Sequence, residues 1–204
     1  MKLTKIQKEI LHGLMLGDGH LAKTSPTSTP KYTQTFGQHY ELFANHIYAI
    51  FRKFCSDKGL YTYQVQSGKG SPFYQRWIVA TLVSPEFHSF VALYYTFNDQ
   101  GKRIKILPEN IKSIITPRTL AYLLMSDGNY KKAQGLIRLC TNSFTKEEVQ
   151  LLSDAMYDRY GIVSRLEFVR KTQWIIVIPR VEVPKFQTLV KKYVKPWFKY
   201  RIGL

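Results

Sequence analysis

Apolar residues at helical spacing open the chain: after Thr4, which stands three residues before Gln7 in a capping-box arrangement, Ile6, Ile10, Leu11, Leu14 and Met15 share one face. The pattern predicts a helix that stops near Gly17 to Gly19. A polar loop of Ser, Thr and Pro follows over 25–30, and 31–38 reads as a strand rich in Tyr, Thr and Phe, which makes the loop a hairpin tip. An aromatic helix over about 40–58 comes next, with Leu42, Phe43, Ile47, Ile50, Phe51 and Phe54 as its buried stripe. Strands are expected at about 60–67 and 73–83, split by a turn over 68–72, and a helix over about 85–97 closes the first half.

The second half repeats this order. Thr116 caps a helix that has Pro117 at its first position and runs to Ser126, and 135–142 reads as a strand. A helix over 146–160 follows, with Thr145 and Glu148, or Ser143, as cap candidates, and then strands over 162–170 and 173–179 around a turn at Lys171-Thr172. Trp77-Ile78-Val79 falls in register with Trp174-Ile175-Ile176 at an offset of 97, and Pro85-Glu86-Phe87 with Pro184-Lys185-Phe186 at 99. Each half is therefore α-β-α-β-β-α or close to it: an α+β fold with helices on one face of an antiparallel sheet and the other face open. The halves are assigned to 1–99 and 116–204, with 100–115 as a linker. On 162–170 the apolar Ile162, Leu166 and Phe168 alternate with Arg165 and Glu167; on 60–67 Tyr61, Tyr63 and Val65 alternate with Thr62, Gln64 and Gln66. The Arg, Gln and Thr positions are the expected open face, because these side chains suit the groove of a nucleic acid.

Charge narrows the partner. Thirty Lys and Arg against 14 Asp and Glu give a formal charge of +16, which calls for a polyanion. No run of 18 apolar residues exists to span a membrane, and the basic residues are interleaved with Tyr, Gln and Thr instead of lining one helix face. Nucleic acid is the expected partner. Only Cys55 and Cys140 are present, which fits reduced interior thiols better than a disulfide scaffold. The first residues show no separate apolar signal core, so the chain is expected to act inside the compartment where it is made.

The candidate chemistry lies in two like segments, Leu11-His12-Gly13-Leu14-Met15-Leu16-Gly17-Asp18-Gly19 and Leu120-Ala121-Tyr122-Leu123-Leu124-Met125-Ser126-Asp127-Gly128, whose aspartates are 109 positions apart (127 − 18). Gly13 and Gly17 in one, with Ala121 and Ser126 in the other, permit two helices to cross closely. An Asp-Gly pair can simply end a helix. Yet a carboxylate is unfavourable at a helix C-terminus, and the same mismatch twice points to metal binding. Two carboxylates brought together resist joint ionisation, so a bound cation is the natural remedy and phosphodiester hydrolysis the natural chemistry.

With both motifs and the repeat, the chain resembles the LAGLIDADG homing endonucleases of the single-chain, two-motif type, over about Lys5 to Ile202. That resemblance implies motif helices packed at a central interface, divalent metal on the last acidic residues, and antiparallel sheets forming a saddle over DNA. It places Asp18 and Asp127, with Gly17 and Ser126, at a Mg²⁺ site that Mn²⁺ can also fill. It also implies a basic residue after each half's last helix, matched here by Lys105 and Arg201. For base recognition it points to Lys31, Gln64, Gln66, Arg76, Arg138, Arg165, Glu167 and Lys171, and for phosphates to Lys23, Lys69, Lys131 and Lys132. Tyr122, His12 and Ser126 depart from the usual motif, so looser or shifted packing is expected on the second helix. The implied protein is a monomer that cuts both strands of a long asymmetric DNA site inside a microbial cell or an organelle. An RNA-binding intron maturase and a non-cleaving DNA-binding regulator are the alternatives on the same fold.

Overall fold

The computed structural model describes residues 1–66, 68 and 70–204, so Lys69 lies outside the described residues. Helix α1 (Lys5–Leu16) begins at the expected capping box: the Thr4 hydroxyl accepts from the Gln7 amide and the Gln7 side chain accepts from the Thr4 amide. Gly17 is its C-cap. Two compact units are present, one of Met1–Leu3 with Asp18–Val91 and one of Thr4–Gly17 with Ala92–Leu204.

In the first unit β1 (His20–Ala22), β2 (Lys31–Phe36), β3 (Tyr61–Gln66) and β4 (Phe73–Ala80) form an antiparallel sheet in the order β1-β2-β4-β3. Helix α2 (Glu41–Phe51) is continued only by a 3₁₀ turn over Arg52–Phe54, so it ends before the expected boundary. Phe43 meets Phe36 edge-on at 5.5 Å between ring centroids, and Phe51 meets Tyr32 at 5.5 Å. The helix therefore covers the sheet face that carries Tyr32, Phe36 and Val79.

Register then reverses one expectation. Phe36 pairs with Trp77, Trp77 with Thr62, and Gln64 with Gln75, so Gln64 and Gln66 share the side of the sheet that α2 covers. Both are nevertheless exposed. The open face instead carries Tyr61, Tyr63 and Val65, together with Thr35 and Arg76. Nothing in β3 is buried, so alternation within that strand carries no information about which side is inward; Phe36 and Tyr32 decide it through pairing.

The second unit contains α1 and most of the rest of the chain. Where a helix to residue 97 and a linker were expected, a 3₁₀ turn (Pro85–Phe87) leads into α3 (His88–Tyr94), and β5 (Tyr95–Phe97) pairs with β6 (Arg103–Lys105) in a hairpin. A short α4 (Ile111–Ile114) precedes α5 (Pro117–Asp127), which has Thr116 as N-cap and Pro117 in its first turn. Then come β7 (Gly128–Lys131), β8 (Leu136–Leu139), α6 (Lys146–Tyr160), β9 (Arg165–Val169), β10 (Gln173–Ile178), α7 (Val183–Val190) and a 3₁₀ segment over Pro196–Ile202. The sheet order β7-β8-β10-β9 repeats that of the first unit. Ile137, Leu139, Ile176 and Ile178 are buried on one face, and Arg138, Arg165 and Glu167 leave the other; Phe168, expected to point inward with Leu166, is 50% exposed, and Ile175 and Val177 are buried on the face of the charged residues. No helix among the described residues is long and apolar enough to cross a membrane.

Candidate active site and nucleic-acid surface

The two motif helices, α1 and α5, pack against each other along their lengths. Glycines of the first motif permit this closeness. A Cβ on Gly13 would lie 2.4 Å from the Thr119 carbonyl oxygen and 2.7 Å from the Tyr122 Cβ, and one on Gly17 would lie 2.8 Å from the Ser126 Oγ. Tyr122, a departure from the usual motif, is thus part of the tightest point of the crossing: its Cβ lies directly against Gly13. At the opposite end Arg118 pairs with Glu9, and the Thr119 hydroxyl donates to the Glu9 carbonyl at 3.2 Å.

Asp127 is the last residue of α5 and half-buried, and its Cβ lies 3.5 Å from where a Gly17 Cβ would stand. Asp18 is exposed and one peptide beyond the α1 cap, so the motifs end differently: one carboxylate inside its helix, the other outside. In the first unit the Tyr32 hydroxyl, which donates to Gln34 Oε1 at 2.5 Å, is held well above its ordinary pKa by burial and then by the charge of Asp18. Among the described residues no cluster of three or more His, Cys, Asp and Glu side chains is arranged around a metal position. The motifs offer carboxylate oxygens only, a donor set that suits a hard cation such as Mg²⁺ or Ca²⁺ completed by water and phosphate.

Gly17 and Ser126, implied as further ligands, have other engagements. The Gly17 carbonyl accepts from Lys105 Nζ at 2.7 Å, and Ser126 Oγ lies against Gly17 at the crossing. Lys105 is delivered by the β5–β6 hairpin, where it pairs with Tyr95. The strand is anchored further by Ile106 N donating to the Tyr94 carbonyl at 2.8 Å and Leu107 N donating to Glu148 Oε1 at 2.9 Å. Arg201 serves the other helix: Nη1 donates to the Leu124 and Met125 carbonyls at 3.1 and 3.0 Å. Its guanidinium carbon lies 4.8 Å from the Phe198 ring centroid, and the residue is 7% exposed. Each motif helix thus has a cation on its C-terminal carbonyls, the favourable sign for that end of the dipole.

The remaining candidates fall on sheet faces and turns. Lys31 and Arg76 sit on the open side of the first sheet, with the Arg76 guanidinium 5.1 Å from the Tyr74 ring centroid. Lys23 bonds the Pro26 carbonyl within its own loop. In the second unit Lys131 and Lys132 are exposed at the β7–β8 turn, and Lys171 lies in a turn where Arg170 and Lys171 adopt φ of 53° and 58° without glycine. Arg165 is exposed on β9, whereas Arg138 and Glu167 bond each other at 2.7 Å. Sequence reading missed Tyr61 and Tyr63, 44% and 45% exposed on the open face, because aromatic alternation signals a buried side by default.

Two like sheets and a pair of packed helices, each leading into an Asp-Gly pair, outline a two-motif endonuclease. Residues 8–186 match the LAGLIDADG DNA endonuclease family, and the chain belongs to it. It is 26% identical to DNA endonuclease I-ChuI of Chlamydomonas applanata, covering 100% of this chain and 97% of that protein. It is 28% identical to cytochrome b mRNA maturase bI2 of Saccharomyces cerevisiae over 95% of this chain but 46% of that protein. The solved structure of the homing endonuclease I-WcaI bound to its DNA recognition sequence shares the fold, with a TM-score of 0.87 at 24% identity, covering 99% of this chain and 88% of that one.

Proposed function

We propose that this DNA endonuclease is a monomeric homing-type enzyme that hydrolyses both strands of one long, asymmetric DNA site, using divalent metal held by Asp18 and Asp127. The observation that carries this reading is the end of the α1–α5 pair. Gly17 permits the helices to converge there, Asp127 closes α5, and Asp18 is bonded to the α1 cap. A bound Mg²⁺ would activate water and neutralise charge on the scissile phosphate. The protein's own contribution is to keep carboxylate oxygens at the helix ends and an ammonium, Lys105, on the Gly17 carbonyl. Lys105 is a candidate to orient water or stabilise phosphate charge; Arg201, buried on the α5 carbonyls, supports the helix end. Basic residues on the open sheet faces supply the DNA surface.

Cleavage of duplexes from a random library in Mg²⁺, by the unmutated protein and by Asp18→Asn and Asp127→Asn, tests the metal assignment. Cutting by the unmutated protein only is expected, and undiminished cutting by either variant would falsify it. Similarity to a maturase along nearly the whole chain favours a second reading, an RNA-binding role in intron splicing, which rescue of splicing in vitro would reveal.

A further inference from the structure

On β8, Arg138 pairs with Val177 of β10, and on the far side of β10 Glu167 of β9 pairs with Ile175. All four side chains leave the face opposite the buried Ile137, Leu139, Ile176 and Ile178. Arg138 Nη2 donates to Glu167 Oε1 at 2.7 Å, so the ion pair bridges β10. Leu136, Ile175 and Val177 form a buried apolar cluster on this face, joined by Val169. The Arg138 and Glu167 side chains are only 23% and 32% exposed, which is what stems lying over that cluster produce.

The pairing changes what Arg138 is suited to do. An arginine neutralised by a carboxylate adds no net charge to the surface, so it contributes little to the nonspecific hold on phosphates that exposed Lys131 and Lys132 supply. It keeps its planar fork, now fixed in orientation, which is the device for reading two adjacent acceptors on a base edge. A second observation points the same way. Arg138 Nε and the Oδ1 of Asn129, its direct cross-strand partner on β7, are both buried without a hydrogen-bond partner. A donor and an acceptor left unmet on the nucleic-acid face are a cost that an incoming polar edge or its bridging water offsets.

We propose that Arg138 reads a guanine through its O6 and N7 acceptors and that Glu167 is the positioning residue that fixes the guanidinium plane. This rests on the DNA-cutting reading above and names which residue of the second sheet specifies a base. Arg165, on the same strand as Glu167, is exposed and lacks this carboxylate partner's bond to Arg138, so the proposal is specific to Arg138.

The test is enrichment of duplexes from a randomised double-stranded DNA library in Ca²⁺, where binding is read without cutting. The proteins compared are the wild type, Arg138→Lys, Glu167→Gln, the Arg138→Lys/Glu167→Gln double variant and Lys131→Ala/Lys132→Ala. A guanine preference at one position should fall about tenfold or more in both single variants, and no further in the double variant. Lys131→Ala/Lys132→Ala should keep that preference and show a shallower salt dependence, by about one unit of slope per lysine. Melting temperatures report folding, and both conservative substitutions retain the stems over Ile175 and Val177. A preference lost in Arg138→Lys but intact in Glu167→Gln overturns the positioning role. Preference intact in both, or weakened evenly at every position, overturns the proposal while leaving the endonuclease reading in place. A wild-type protein that enriches no sequence overturns both.

Discussion

Lys105 Nζ lies 2.7 Å from the carbonyl oxygen of Gly17, the cap of the first motif helix, although 88 positions separate them. Arg201 holds the corresponding end of α5 through the Leu124 and Met125 carbonyls. The cations are alike in place and unlike in exposure: Lys105 is half-buried, and Arg201 is enclosed by Phe198 and the α5 carbonyls. Separate outcomes follow for the two.

Lys105→Met should slow single-turnover DNA cleavage about 100-fold, the scale of losing one positioned electrostatic donor. Its stability should fall by no more than about 1 kcal/mol, since only a partly exposed helix-end interaction is lost. Rapid-quench cleavage and urea unfolding on the same preparation check this. An activity loss that merely follows unfolding would remove Lys105 from the chemistry.

Arg201→Met should act the other way round. Removing the guanidinium takes its donor from the Met125 carbonyl and leaves the Leu124 carbonyl with only the Gly128 N–H, in a closed environment, at a cost of about 1–3 kcal/mol. The urea midpoint should drop clearly. Unchanged stability with lost cleavage would return Arg201 to a direct role.

Gly13→Ala tests the helix crossing. Its new Cβ would stand 2.4 Å from the Thr119 carbonyl oxygen, a backbone atom that cannot swing aside, so α1 and α5 must separate. A destabilisation of about 3 kcal/mol is expected by thermal or urea unfolding, with cleavage reduced even where the protein is folded. A neutral substitution would show that the two helices slide freely at this point.

His12 predicts an acid limit. Burial, and then the charge of Lys8, lower its pKa from 6.5 to about 4, and its Nδ1 lies 2.9 Å from the buried Tyr94 hydroxyl. Between those pH values the unfolded chain binds a proton that the folded chain refuses, so stability rises with pH through this window. The His12 contribution is intact above pH 6.5 and is lost progressively as pH falls towards 4. Melting at about pH 7 and about pH 5 should show a drop that His12→Gln reduces. An equal drop in the variant would assign acid sensitivity to other groups.

Local signals were legible to the extent that they were local. The capping boxes at Thr4–Gln7 and Thr145–Glu148, Pro117 at the start of α5 and the Asp-Gly ends of both motifs all depend on neighbours within a helical turn. In the strand 162–170 the two faces differ in kind, as Leu166 and Arg165 show. In β3 the same rule does not hold for Gln64 and Gln66, because no residue of the strand is buried and its faces are set by pairing with β4. The segment 100–115 lacks the length and apolar period of a helix and so resembled a linker; its pairing with β5 is visible only once both strands are placed.

The sequence by itself determined the two motifs, the repeated order of helices and strands, the basic surface and the two aspartates, since each is written in composition or in spacing of a few residues. Tertiary structure decided which sheet faces are open, that Tyr122 tightens the helix crossing, that Lys105 meets Gly17, and that Arg138 and Glu167 act as one unit. The physical reason is register. A strand shifted by one residue inverts every side chain, and a hydrogen bond across 88 positions depends on packing that no short window contains.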